Sequence, residues 1–249
     1  MPNTATWMPL YKTGAIAALL SALLLRRNIG AEVSLFTGME AIPTTTADWY
    51  ALLQANPFVG LSFLAVFDLS NYFLVAIVFL ALAVRLWPVN KGLIAMALAS
   101  GLVGIAVSFA TNISFSMMSL SQQYVIATSE AQRASLLDAG QALLAMNGAM
   151  ANFPGTGTYM SYLLIALAEL TFAGLLLHTH RVTAIVGLLA ASCDLAYCLT
   201  FAFSPGLQVL FMASGGAFWM LWHLLVARIL FQQWKSLSVY TAYAHDAAQ

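Results

Sequence analysis

Residues 158–178 read TYMSYLLIALAELTFAGLLLH, and this stretch decides the fold. A helix that crosses a bilayer needs roughly 20 mostly apolar residues. The stretch has that length, with one formally charged residue, Glu169, inside it. An ionisable group at bilayer depth is costly to insert and marks a functional site by default. The run therefore predicts both a membrane-spanning helix and a polar centre within it.

Five further segments carry the same signal: 7–25, 58–84, 92–118, 182–203 and 206–230. The first contains Pro9 and Lys12 near one end and stops at Arg26-Arg27. Proline is tolerated in a first turn, and a lysine there snorkels to the headgroups. No small-x-small cleavage site follows, so the segment is read as a retained span. Over all 249 residues, 61% are hydrophobic and 7% charged, with a mean hydropathy of +0.85. That excludes a soluble domain. A net charge of zero and no basic patch give no sign of a nucleic-acid partner. Cys193 and Cys198 lie five apart and point to different helix faces, which argues against a mutual disulfide.

The expected fold class is all-α, a polytopic transmembrane helical bundle of about six spans with one amphipathic extramembrane helix. A single bundle is expected over 1–235, followed by a cytoplasmic tail at 236–249. The loops 26–57 and 119–157 are expected on the outer side. The first contains Pro43 and Asp48-Trp49-Tyr50, read as a turn into a short interfacial helix with aromatics at headgroup level. The second opens on Ser129-Glu130-Ala131-Gln132, a capping-box pattern. Leu136, Leu137, Leu143 and Leu144 recur around Gly140 at helical spacing, so residues 130–150 predict the amphipathic helix. Asn152-Phe153-Pro154-Gly155 ends it.

Basic residues set the orientation. With both termini on one side, that side holds Lys12, Arg85, Lys91, Arg181, Arg228 and Lys235. The other holds Arg26, Arg27 and Arg133. The asymmetry places both termini in the cytoplasm of a multi-pass inner-membrane protein. The lipid bilayer is then the first expected partner.

Two more acids share the interior with Glu169: Asp68 and Asp194. Counted from the outer ends of their segments, the three lie about 14–16 Å deep, near the middle of a core of about 30 Å. No Lys or Arg accompanies them there. Each must then hold a proton or be neutralised by something bound. Asn71, Asn112, Tyr197 and His223 fall on neighbouring helical positions and are read as secondary polar contacts. Gly215, Trp219 and His223 form one stripe, and Ser100, Gly104, Ser108, Asn112 and Ser116 another. The plainer reading of each acid is a protonated strut between helices. The plainer reading of the serine–glycine stripe is close helix packing. No His-x-x-x-His, Cys-x-x-Cys or Glu-x-x-His pattern occurs inside a span, so no metal site is assigned and the cofactor is left open. No phosphate loop or nucleophile elbow appears.

The segments Tyr11-Lys12-Thr13-Gly14-Ala15-Ile16 and Leu82-Ala83-Val84-Arg85-Leu86-Trp87-Pro88-Val89-Asn90-Lys91, with an acid early in the second span, have a counterpart elsewhere. In these the chain resembles a family of bacterial multi-pass membrane proteins of unknown function. That family often carries a basic residue in the third span, where this chain reads Ala97-Leu98-Ala99-Ser100-Gly101-Leu102. Acid–base pairing is therefore not carried over. The resemblance implies a helical membrane fold and no activity.

The leading functional expectation is a small-molecule or ion transporter or receptor. Asp68, Glu169 and Asp194 would bind a cationic small molecule or exchange protons. The second is a non-catalytic accessory subunit with a membrane-protein partner. The third is an intramembrane enzyme, for which only Ser192 or Cys193 lies adjacent as a nucleophile.

Overall fold

The computed structural model describes residues 4–36, 43–147, 155–200 and 204–246, and these are helical with no strand among them. A short 3-10 turn over Thr4–Trp7 leads into α1 (Met8–Phe36). Then come α2 (Thr46–Ala55), α3 (Pro57–Phe63), α4 (Val66–Leu86), α5 (Lys91–Thr111), α6 (Ser114–Ile126) and α7 (Glu130–Asn147). The chain closes with α8 (Thr156–Leu176), α9 (Arg181–Thr200) and α10 (Pro205–Asp246).

Among the described residues, five helical stretches are long and apolar enough to cross a membrane: Val66–Leu86, Lys91–Ile126, Thr156–Leu176, Arg181–Thr200 and Leu210–Tyr240. The chain is accordingly an all-α, multi-pass membrane protein. The sixth expected span, 7–25, corresponds to the apolar stretch Met8–Leu24, shorter than those five. Packing nonetheless aligns it with them. A Cβ on Gly14 would meet the Ala81 side chain at 2.5 Å, and Ser21 Oγ donates to Asn71 Oδ1 at 2.6 Å. Advancing along α1 thus means retreating along α4, so the two lie antiparallel.

Residues expected as one bundle separate into two compact units. The first comprises Met1–Arg26, Asn71–Ile105 and Tyr162–Gln249. Its core includes Ala15 and Ala18 of α1, Phe79 and Leu82 of α4, Phe172 of α8 and Trp222 of α10. Helix approach is close where small residues allow it. Gly101 of α5 sits against Phe79, and Ser100 Oγ donates to the Leu164 carbonyl at 2.8 Å. The serine–glycine stripe of α5 therefore packs, as small residues do at membrane helix interfaces. α9 and α10 form an antiparallel hairpin in which Gly187 faces Trp222 and Gly215 faces Asp194. α10 continues as helix through residues 236–246, which the sequence reads as a tail. Its 42 residues extend about 63 Å, roughly twice a hydrocarbon core.

The second unit comprises Arg27–Ser70 and Ala106–Ser161, the two long connections and the helix ends flanking them. Its core is Trp49, Tyr50, Leu53, Leu64, Ile113, Met117 and Leu144. α2 forms as expected, capped by Thr45, whose Oγ1 accepts the Asp48 N–H at 3.2 Å. Its two aromatics are buried within the unit. Trp49 and Tyr50 are 0% and 1% exposed, because α6 and α7 cover them. α7 matches its expectation. Gln132 N–H donates to Ser129 Oγ, and Gln132 Oε1 accepts the Thr128 N–H. Leu144 is fully buried, Leu137 and Leu143 pack on the same core, and Glu130 is exposed. Asn152, Phe153 and Pro154 lie outside the described residues.

The segments read as unbroken spans over 58–84 and 92–118 are each interrupted in this unit. α3 gives way to α4 at Leu64-Ala65, where Ala65 has φ 62°. α5 gives way to α6 at Asn112-Ile113. The second break serves the first. Asn112 Nδ2 donates to the Ala65 carbonyl at 3.1 Å, and Ser114 Oγ donates to the Leu64 carbonyl. Backbone groups released from a helix need such partners when water is excluded.

Candidate functional site

The polar centre of the first unit is organised by one stripe of α10. Gly215, Trp219 and His223 follow at four-residue steps, about 6 Å each along the axis. Each meets a polar group. At Gly215, an added Cβ would stand 2.6 Å from Asp194 Oδ1 of α9, so the missing side chain is what lets that carboxyl reach α10. At the next step Trp219 Nε1 donates to Glu169 Oε2 of α8 at 2.5 Å. At the last step His223 Nδ1 lies 2.9 Å from the Trp219 carbonyl.

Glu169 and His223 are both 0% exposed, whereas Asp194 is partly buried. The two carboxyls are near enough to interact electrostatically. Gly187 of α9 is backed by both Trp222 and Ala173 of α8, which sets the register of the three helices. By that register Glu169 lies level with residue 191 of α9, about one helical turn from Asp194. Among the described residues, three polar atoms at this centre are buried without a hydrogen-bond partner: Glu169 Oε1, His223 Nε2 and Trp222 Nε1. The imidazole is clasped edge-to-face by both indoles, at 4.7 Å from Trp219 and 5.1 Å from Trp222. Tyr72 of α4 stands 6.5 Å from Trp219, and Tyr162 of α8 stands 5.3 Å from Tyr197 of α9.

The expected site residues are thus partly brought together. Glu169, Asp194 and His223 share the stripe, with Tyr197 on α9 beside them in sequence. Asn71 belongs to the same unit, but its Oδ1 is engaged by Ser21 in the α1–α4 contact. Asn112 belongs to the second unit and is spent on backbone. Besides donating to Ala65, it accepts the Ser114 N–H at 3.0 Å. Asp68 also belongs to the second unit, in the first turn of α4, where an acid suits the positive end of the helix dipole. Its expected depth of ten residues assumed an unbroken helix from residue 58. The helix that carries it begins at Val66. Within the first unit the site therefore holds two acids, Glu169 and Asp194.

The sequence alone does not pair Trp219 with Glu169. A signal was present, because an indole inside a span carries one N–H that requires an acceptor. Among the described residues, no three His, Cys, Asp or Glu side chains gather closely enough to hold a metal ion. The arrangement can store and pass protons, or balance a bound cation with carboxylate charge. No protein-family profile, curated protein or solved structure matches the chain.

Proposed function

We propose that this is an inner-membrane transporter or receptor that handles a proton or a small cation, with Asp194, Glu169 and His223 as the exchanging groups. One observation carries the reading. Among the described residues, Glu169 Oε1 and His223 Nε2 are buried without partners at the same α10 stripe that receives Asp194. A strut would be expected to satisfy its polar atoms, because an unpaired buried group costs about 1–3 kcal/mol. Groups that exchange a proton or ligand keep a free valence for it. Charge balance points the same way, since the neighbouring spans contribute no Lys or Arg at this level. The accessory-subunit reading draws instead on Phe115, Val125 and Ile126, exposed by 63%, 59% and 74% on α6.

Infrared titration of the protein in liposomes tests the proposal through its buried carboxyl bands. Wild-type protein should show protonated-carboxyl bands that change with pH, and Glu169→Gln should remove one of them with a stability loss of about 1 kcal/mol or less. The amide oxygen can still accept from Trp219, so folding is retained. Gly215→Ala should displace the Asp194 carboxyl and shift its band while leaving that of Glu169. Bands that ignore pH throughout would reduce both acids to struts, and the subunit reading would stand.

A further inference from the structure

At one end of the first unit three elements converge on Arg85, in the last turn of α4. Its Nη2 lies 2.8 Å from His180 Nε2, in the turn between α8 and α9. Its Nη1 donates to Gln233 Oε1 of α10. Tyr11 of α1 is near enough to interact with its charge. Beside it, Lys12 Nζ stands 5.2 Å over the ring of Trp234.

The partners of Arg85 are neutral. A guanidinium offers five N–H donors and no acceptor, so His180 must receive the proton and be unprotonated there. Burial, with the Arg85 charge beside it, holds His180 below the usual imidazole range. Two donors are used by His180 and Gln233, which leaves three of the five. No Asp or Glu occurs in segments 7–13, 85–92, 177–182 or 228–240, which build this end. Lys91 and Arg181 instead begin α5 and α9, where the helix dipole is already positive and no acid sits in the first turn. Cations at helix N-termini work against those helices unless an anion completes the arrangement. Trp87, 43% exposed in the turn after α4, is the aromatic type favoured at headgroup depth.

We propose that Arg85, held by His180 and Gln233, is a binding site for a phosphate group. The fixed fork of the guanidinium suits two phosphate oxygens. An anionic lipid headgroup and a free phosphate share this chemistry.

Thermal unfolding in nanodiscs at one ionic strength separates these sources. Phosphatidylglycerol discs should raise the wild-type Tm above that in phosphatidylcholine discs if a headgroup is bound. Inorganic phosphate added to phosphatidylcholine discs should reproduce the rise if the ligand is soluble. Either result supports the site, provided Arg85→Gln weakens the response by about tenfold or more in ligand concentration and Arg133→Gln does not. Arg85→Lys keeps the charge without the fork and should give an intermediate response. Equal Tm in both lipids with no phosphate response overturns the site on wild-type protein alone. So does a full response in the Arg85 variants.

Discussion

A single tyrosine shows how far one side chain can tie the second unit together. Tyr50 is buried on α2 and its hydroxyl donates to the Leu136 carbonyl of α7 at 2.7 Å. Burial pushes its phenol up to about 12, from an ordinary value of 10. A folded-state value above the unfolded one stabilises the fold fully below the unfolded value. That contribution is lost as pH rises through the folded value. The second unit should therefore hold its stability up to about pH 10 and lose it progressively toward about pH 12. Tyr50→Phe should cost about 1 kcal/mol at neutral pH and abolish this alkaline loss. Protease susceptibility of the 106–161 region against pH, beside phenolate absorbance, reads both effects. A variant with the same alkaline profile as wild type would move the cause elsewhere.

Among the elements, α7 depends on a glycine in its middle. Glycine in a helix interior costs about 1 kcal/mol relative to alanine, so Gly140 needs a packing reason. It has one. An added Cβ would stand 2.6 Å from Thr46 Cγ2 and closer still to the Tyr50 hydroxyl. Gly140→Val should therefore push α7 from α2 and break the Tyr50–Leu136 bond. Overpacking of about 1–3 kcal/mol exceeds any helix-propensity gain. Limited proteolysis should cut α7 faster in the variant, while the α9–α10 hairpin keeps its protection. Unchanged cleavage would mean that α7 is not held by α2. The four leucines around Gly140 were legible as an amphipathic face from their spacing. Their destination was not, because periodicity reports that a face is apolar and not which helix covers it.

Across the whole molecule, the distribution of charge sets a testable topology. Lys12, Arg85, Lys91, Arg181, Arg228 and Lys235 fall on one side if the chain crosses six times, with α1 counted beside α4. Single cysteines at Asn90 and Glu130, both exposed, should then label from opposite faces of the membrane with an impermeant thiol reagent. The natural Cys193 and Cys198 are replaced by serine or alanine first. Labelling of both positions from the same face would remove one crossing between them and end the six-span topology.

Composition and period alone settle the broad outline of this chain. Long apolar runs with rare charges commit the chain to membrane helices, because each backbone polar group in lipid must be satisfied within its own helix. The same runs made Glu169 and Asp194 conspicuous, and four-residue spacing put Gly215, Trp219 and His223 on one face. Tertiary structure alone decided three things. It united the two long connections around Trp49 and Tyr50 as a second unit, since their apolar residues lie far apart along the chain and meet only on folding. It broke two apparent spans at Ala65 and Asn112, where polar side chains take over the freed carbonyls, a trade invisible to any hydropathy window. And it joined Glu169 to Trp219 across fifty residues, because a buried acid finds its donor by helix register and not by proximity in sequence.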